Sequence, residues 1–252
     1  MSDSSLTLTF IGTSHGVPDV DRYCSAALLS VGDKRIFIDG GAPTADYLTR
    51  NGIPFREVRA LFNTHVHSDH MLACLPMLSL INWYYRDACI DVYFPEKAAV
   101  DAVKSLLTLA DCAFCEERVR LHDFGPDFVY DDGTFRVTPI PTQHMAHIGR
   151  PAYAFLVEAA GKRILFSGDM RADLSDFPAM LYEQPVDLFI TESAHCSVGT
   201  LAEKLRDSRM KAARVLVTHI HPLPEKEPQF EVLAGELPYP FAIARDNMTV
   251  TF

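Results

Sequence analysis

Three histidines and an aspartate fall within six residues at His65-Val66-His67-Ser68-Asp69-His70. They follow the apolar run Ala60-Leu61-Phe62, and an apolar run that gives way to polar residues reads as a buried strand opening into a loop. On extended backbone, His65 and His67 are two apart and share a face. Asp69 and His70 come where the chain turns into a helix, and they can aim at a second point nearby. Neutral imidazole and carboxylate are the ligands that zinc and other first-row divalent metals accept. A catalytic zinc takes about three protein ligands, so this stretch carries too many for one ion and points to two. The bland alternative is a polar loop that happens to be rich in histidine. It loses ground because the same residue types recur at other strand ends.

Those recurrences are His144, after Pro141-Thr142-Gln143; Asp169, in Ser167-Gly168-Asp169; and His219, after the apolar run 215–218. Each alone has an ordinary reading, a loop histidine or a turn-forming aspartate. Beside the first cluster they complete a candidate ligand set of His65, His67, Asp69, His70, His144, Asp169 and His219. Only a fold could gather loops so far apart in sequence. Asp39 ends another strand beside Gly40-Gly41, where close approach to the histidine loop would let it fix that loop.

The elements that must position these groups read as follows. Strands are expected at 6–11, 25–31 and 34–38, the last two joined by the Gly32-Asp33 hairpin signal. A short helix at 43–51 stops at Gly52. A largely buried helix is expected over 68–85, a strand at 90–94 and an amphipathic helix at 96–110. Further strands are expected at 119–124, 128–130, 134–140, 152–158, 163–166, 186–190 and 215–218, with a helix at 200–211. The proline-rich stretch 222–240 reads as a surface excursion, and 242–252 as a closing strand pair. Strands that begin as hairpins and then alternate with helices suggest two mixed sheets face to face with helices outside. Loops at one edge would then converge on a shared site.

At 252 residues, 48% hydrophobic and 22% charged, the chain suits one globular domain spanning 1–252. Its net charge of −10 argues against gripping a nucleic-acid backbone. The six cysteines are dispersed, Met1-Ser2-Asp3-Ser4-Ser5 lacks the marks of a leader, and no apolar run reaches the ~18 residues of a membrane span. These features lead us to expect a cytoplasmic protein with reduced thiols. Cys112 and Cys115 have the spacing of half a structural zinc site, without a second pair.

With these residues in view, the sequence resembles the metallo-β-lactamase-fold hydrolases. Phe10-Ile11-Gly12-Thr13, Arg22-Tyr23-Cys24-Ser25-Ala26 and Ile38-Asp39-Gly40-Gly41 look like the N-terminal signature of the branch that holds ribonuclease Z and the cyclic phosphodiesterase of bacterial phosphonate metabolism. The likeness runs to Ala244-Arg245-Asp246-Asn247-Met248. It implies an α+β fold, a four-layer αββα sandwich. It also implies that His65, His67 and His144 hold one metal, that Asp69, His70 and His219 hold a second, and that Asp169 bridges them. The metals of the family are usually zinc, with manganese or iron in some members. His147 is an alternative to His144, which is preferred as the first histidine past the strand. His15 stands where relatives often have a small residue and would line the pocket.

Two dications about 3.5–4 Å apart lower the pKa of a shared water toward neutrality and polarise a scissile phosphoryl or carbonyl oxygen; the resemblance of the N-terminal signature makes the expected enzyme a phosphodiesterase acting on a small or cyclic phosphodiester through a metal-bridging hydroxide. Asp69 would orient that hydroxide and shuttle its proton. His195, held by Glu192 or a neighbouring carboxylate, resembles the acid that this region supplies in ribonuclease Z, whereas His221 reads as a support behind the site or as packing. The rival readings are a lactone, ester or thioester hydrolase on the same fold and a non-catalytic sensor. A tRNA 3′-end endonuclease is disfavoured by the negative charge and by the lack of a long glycine- and proline-rich arm. The expected partner is a small-molecule substrate, with neither nucleic acid nor membrane, and relatives commonly form homodimers.

Overall fold

A computed structural model describes residues 5–17, 19–111 and 115–252. Residues 1–4, on which part of the leader reading rests, lie outside the described residues, as do Pro18 and Cys112 of the Cys112/Cys115 pair. The chain first lays down β1 (Leu6–Gly12), β2 (Ala26–Val31) and β3 (Lys34–Ile38), then α1 (Thr44–Arg50) and β4 (Val58–Phe62). After α2 (Ser68–Met71) and α3 (Leu75–Trp83) come β5 (Ile90–Phe94), α4 (Lys97–Leu109) and β6 (Val119–Asp123). The second half runs β7 (Tyr130–Asp131), β8 (Phe135–Thr142), β9 (Ala152–Ala159), β10 (Lys162–Phe166), α5 (Met180–Glu183), β11 (Leu188–Ser193) and α6 (Val198–Leu205). It ends with β12 (Val215–Ile220), α7 (Leu223–Ala234), β13 (Phe241–Ile243) and β14 (Thr249–Thr251).

Two seven-stranded sheets result, in the orders β14-β1-β2-β3-β4-β5-β6 and β13-β12-β11-β10-β9-β8-β7. Strand alternation builds the layers. On β3, Ile36 and Ile38 enter the apolar cluster between the sheets, while Phe37 faces the cluster under α1, α3 and α4. That two-sided burial explains the unbroken run Ile36-Phe37-Ile38. Ala99, Val103 and Leu107 of α4 recur every fourth residue and pack on the outer face of the first sheet. Leu201, Leu205, Phe230 and Leu233 of α6 and α7 do the same for the second sheet. This is the αββα order expected from the resemblance.

The departures have local causes. The helix expected over 68–85 is broken into α2, a 3₁₀ turn at Leu72–Cys74 and α3. Pro76 sits in the first turn of α3, where its missing N–H costs nothing; in an unbroken helix it would clash with the preceding turn. The expected strand at 128–130 is reduced to the two residues of β7, and the helix expected over 200–211 is α6 alone. The excursion expected at 222–240 contains the helix α7, anchored by buried Phe230 and Leu233. Its prolines misled because Pro224 occupies the tolerant first turn, while Pro228 forgoes one backbone bond that packing offsets. The closing strands do not pair with each other: β13 lies beside β12 and β14 beside β1, so the last turn carries the chain from one sheet to the other. Strands β11 and β12 are longer than expected, and both extensions carry site residues.

Candidate metal and hydrolytic site

The candidate groups lie in the last residues of strands or in the segments that follow them, and in these two sheets those ends meet at one edge. β3 ends at Asp39, β4 leads to the histidine loop, β8 to His144 and β10 to Asp169. Glu192 and His219 lie within β11 and β12. The register between β11 and β12 shifts at this point, with Glu192 opposite Thr218 and Ser193 opposite Ile220. His219 is therefore the extra residue of a β-bulge, with φ of 48°. A bulge re-aims a side chain, and a strained φ persists where the surroundings enforce it. Two glycines permit the close approach of loops. A Cβ at Gly41 would stand 1.7 Å from the backbone oxygen of Asp69, and one at Gly168 would stand 2.5 Å from that of Tyr153.

The groups form two adjoining sets. Ligand atoms of His65, His67, His144 and Asp169 lie close enough to one another to hold one ion, as do those of Asp69, His70 and His219. Asp169 Oδ2 is the common point. It stands 3.6 Å from His65 Nε2, 3.4 Å from His70 Nε2, 3.7 Å from His144 Nε2 and 3.4 Å from His219 Nε2. These separations are long for hydrogen bonds. They match the ~3.4 Å expected between two atoms that each lie ~2.1 Å from a shared tetrahedral ion. His144 belongs to the first set; the exposed His147 does not, and its Nδ1 lies 3.3 Å from the His144 carbonyl.

The outer nitrogens show how the imidazoles are aimed. The Thr64 hydroxyl, 3.0 Å from His65 Nδ1, donates to the Asp39 carboxylate, and His70 Nδ1 donates to Asp39 Oδ2 at 2.8 Å. His144 Nδ1 faces the Met170 carbonyl at 3.3 Å, and His219 Nδ1 faces the Ser14 carbonyl at 3.1 Å. Each Nδ1–H is thereby given to the protein, and each Nε2 lone pair is turned inward, as in metal-ligating histidines generally. The buried Nε2 atoms of His70 and His219 have no hydrogen-bond partner, and both face a carboxylate oxygen. A cation between them resolves that arrangement, so the residues fit a metal site.

The electrostatics agree. Burial, aided by neighbouring His70, holds His65 well below the ordinary histidine value. Burial also depresses His67 and His144, against the pull of Asp169. His70 moves the other way: burial opposes its cation, but Asp169 and Asp39 prevail and raise it well above the ordinary value. For Asp169, burial is likewise outweighed, here by His219, His70 and His65, and its carboxyl titrates well below the usual range. The Asp169 carboxylate is thus held ionised among the histidines.

Asp39, Thr64, Ser14 and Met170 thus do the orienting. Asp39 stood out in the sequence by its place beside Gly40-Gly41. Thr64 adjoins the histidine motif, but nothing local distinguished it. Ser14 and Met170 act through backbone carbonyls, which no side-chain motif reveals. Asp39→Ala unties His65 and His70 together. We expect it to weaken metal binding by about 10- to 100-fold, as measured by chelator competition; unchanged affinity would remove Asp39 from this role.

Beside the ligand set, Glu192 accepts from the amides of Met170, Ala194 and His195 and from His195 Nδ1, the last at 3.1 Å. Burial works against the His195 cation, yet the Glu192 bond and the Asp169 charge raise its pKa. His195 also lies within ligand range of Asp169 and His219. The His15 ring stacks on His221 with centroids 4.8 Å apart and lies 5.9 Å from His195. On the His144 side an open groove is lined by Gln143, His147, Arg171 and Asp173.

The family described as "Anti-Pycsar protein Apyc1" matches residues 6–208. The ribonuclease Z of Microcystis aeruginosa is 31% identical over 139 residues, which is 53% of this chain and 42% of that protein. The chain spans about half the length of the curated relatives it matches. Among solved structures, the metallo-β-lactamase-fold protein YhfI of Bacillus subtilis superposes with a TM-score of 0.78 at 19% identity, covering 98% of this chain and 100% of that one. A diphosphatase of the PhnP family gives a TM-score of 0.71 at 19% identity, covering 98% of each chain. The fold is the metallo-β-lactamase sandwich.

Proposed function

The chain belongs to the family of the anti-Pycsar protein Apyc1, in the ribonuclease Z and phosphodiesterase-like branch of the metallo-β-lactamase fold, and on that premise we propose a dinuclear metal-dependent hydrolase of small or cyclic phosphodiesters. His65, His67 and His144 would hold one ion, Asp69, His70 and His219 the other, and Asp169 both. Zinc suits this donor set, as do manganese and iron. The observation that carries the reading is the single oxygen Asp169 Oδ2, which lies 3.4–3.7 Å from nitrogens of both sets.

Ions bound there would supply Lewis acidity and acidify a water molecule toward neutral pH. The remaining work falls to the chain. Asp39 and Thr64 hold the imidazoles in their ligating tautomers. Asp69, the more exposed of the two ligand carboxylates, accepts the proton that the attacking water gives up. His195, its Nδ1 committed to Glu192, donates a proton from Nε2 to the leaving alkoxide. The groove of Gln143, His147 and Arg171 receives the part of the substrate beyond the scissile bond, and His15 lines the other rim. Phosphoryl chemistry is favoured over ester chemistry because the names of the ribonuclease Z relatives and of the PhnP-family diphosphatase both denote phosphorus–oxygen bond cleavage. The net charge of −10 favours a small anion over a nucleic-acid backbone. Among the described residues no helix is long and apolar enough to cross a membrane.

Turnover of bis(p-nitrophenyl) phosphate, a lactone panel and a tRNA precursor, with metal restored after chelation, tests this reading. We expect metal-dependent cleavage of the small phosphodiester. Activity confined to the lactones or to the tRNA precursor would overturn the substrate class.

A further inference from the structure

His195 rides on a tight turn between β11 and α6, and that turn is held from two sides. On one side Glu192 gathers its amides: Ala194 N–H donates at 2.6 Å and His195 N–H at 3.1 Å. On the other side stands Lys226 of α7. Its ammonium donates to the Ser193 carbonyl, to the Cys196 carbonyl at 2.8 Å and to Ser193 Oγ at 3.4 Å. All three acceptors belong to the turn that carries His195.

This arrangement is unusual for a helix lysine. Such a side chain ordinarily runs its stem along the surface and keeps its charge in water. Lys226 is instead partly buried, and among the described residues its ammonium donates to neutral oxygens. Removing an ammonium from water is costly unless all its donors are satisfied, and here one four-residue segment satisfies them. The helix does not need this contact for anchorage, since Phe230 and Leu233 are its buried residues. The beneficiary is the turn, whose N–H groups are drawn toward a carboxylate and whose carbonyls are drawn toward an ammonium.

We propose that Lys226 is a positioning residue for His195: by clamping the Ser193 and Cys196 carbonyls it fixes the turn on which Glu192 aims the imidazole at the leaving group. The inference rests on the acid role given to His195 above. Lys226 touches neither a candidate ligand nor the groove, so its effect must pass through the turn.

Four variants, Lys226→Met, Lys226→Arg, His195→Ala and the double variant Lys226→Met/His195→Ala, are compared on an alkyl diester and on bis(p-nitrophenyl) phosphate, with metal content measured for each. Lys226→Met is expected to keep the native metal content and KM and to lose about 10- to 100-fold in kcat on the alkyl diester, the cost of misplacing a reacting group by about 1 Å. The p-nitrophenyl diester, whose leaving group needs no proton, is expected to lose little. Lys226→Arg, which keeps charge and donors, is expected to recover most of the rate. In the His195→Ala background Lys226→Met should add less than about twofold, because residues acting through one group are not additive. If Lys226→Met does not fold, Lys226→Gln carries the same comparison. A Lys226 variant as fast as the native protein beside a slow His195→Ala would overturn this inference alone, as would an undiminished Lys226 effect in the double variant. A His195→Ala variant at native rate would overturn the acid role, and this inference with it.

Discussion

Asp169→Ala is expected to lose both metal ions together and to slow phosphodiester turnover by about 10³-fold or more, at least the cost of removing one group that stabilises transition-state charge. The expectation follows from where one oxygen sits. Asp169 Oδ2 is within 3.4–3.7 Å of five imidazole nitrogens, two from each ligand set and Nδ1 of His195. The side chain is 2% exposed, so water cannot replace it without reshaping the loop. Gly168, at φ of 56°, fixes that loop where a side chain would strike the Tyr153 carbonyl. Asp169→Asn is the informative companion. It keeps an oxygen near the same place but removes the negative charge that draws the cations, and it should fall between the native protein and Asp169→Ala in metal content. Two ions still fully bound in Asp169→Ala would refute the bridging role.

His195→Ala is expected to do the reverse, keeping both ions while slowing turnover by about 10²- to 10⁴-fold on substrates with poor leaving groups, the range of general acid catalysis. The imidazole donates through Nδ1 to Glu192 at 3.1 Å. That bond fixes which nitrogen remains for chemistry and favours the cation. The imidazole is also within ligand range of Asp169 and His219, which makes a third ligand group the natural rival reading. The two readings separate cleanly. An acid is needed only when the leaving oxygen is basic, so a p-nitrophenyl diester should be nearly unaffected by the substitution. A ligand is needed for every substrate. Loss of an ion, or equal slowing across leaving groups, would transfer His195 to the metal site.

The sequence disclosed the fold class, a sandwich of two mixed sheets with helices outside, better than the bounds of its elements. Its seven candidate ligands could be named because each follows or ends an apolar strand, a pattern that one-dimensional periodicity preserves. The preference for His144 over His147 rested only on its place as the first histidine past the strand: the two are three residues apart on one loop, and the exit direction of β8 brings His144, not His147, beside His65 and His67. His219 was expected just past a strand, whereas it is the bulged residue within β12, a consequence of its register with β11. Register is a property of two strands, and neither displays it alone. The helix α7 was hidden by its prolines, and with it Lys226, whose partners lie 30–33 residues away in the chain. The closing strands were found, but their separation onto opposite sheets depends on the stacking of the two sheets.

Metal analysis of the purified protein, paired with its rate on bis(p-nitrophenyl) phosphate, tests the central claim most directly. The account predicts two divalent ions per chain, loss of turnover when a chelator removes them, and recovery when zinc or manganese is returned. Full turnover by the stripped protein, or failure to bind any ion from solutions of these metals, would contradict it.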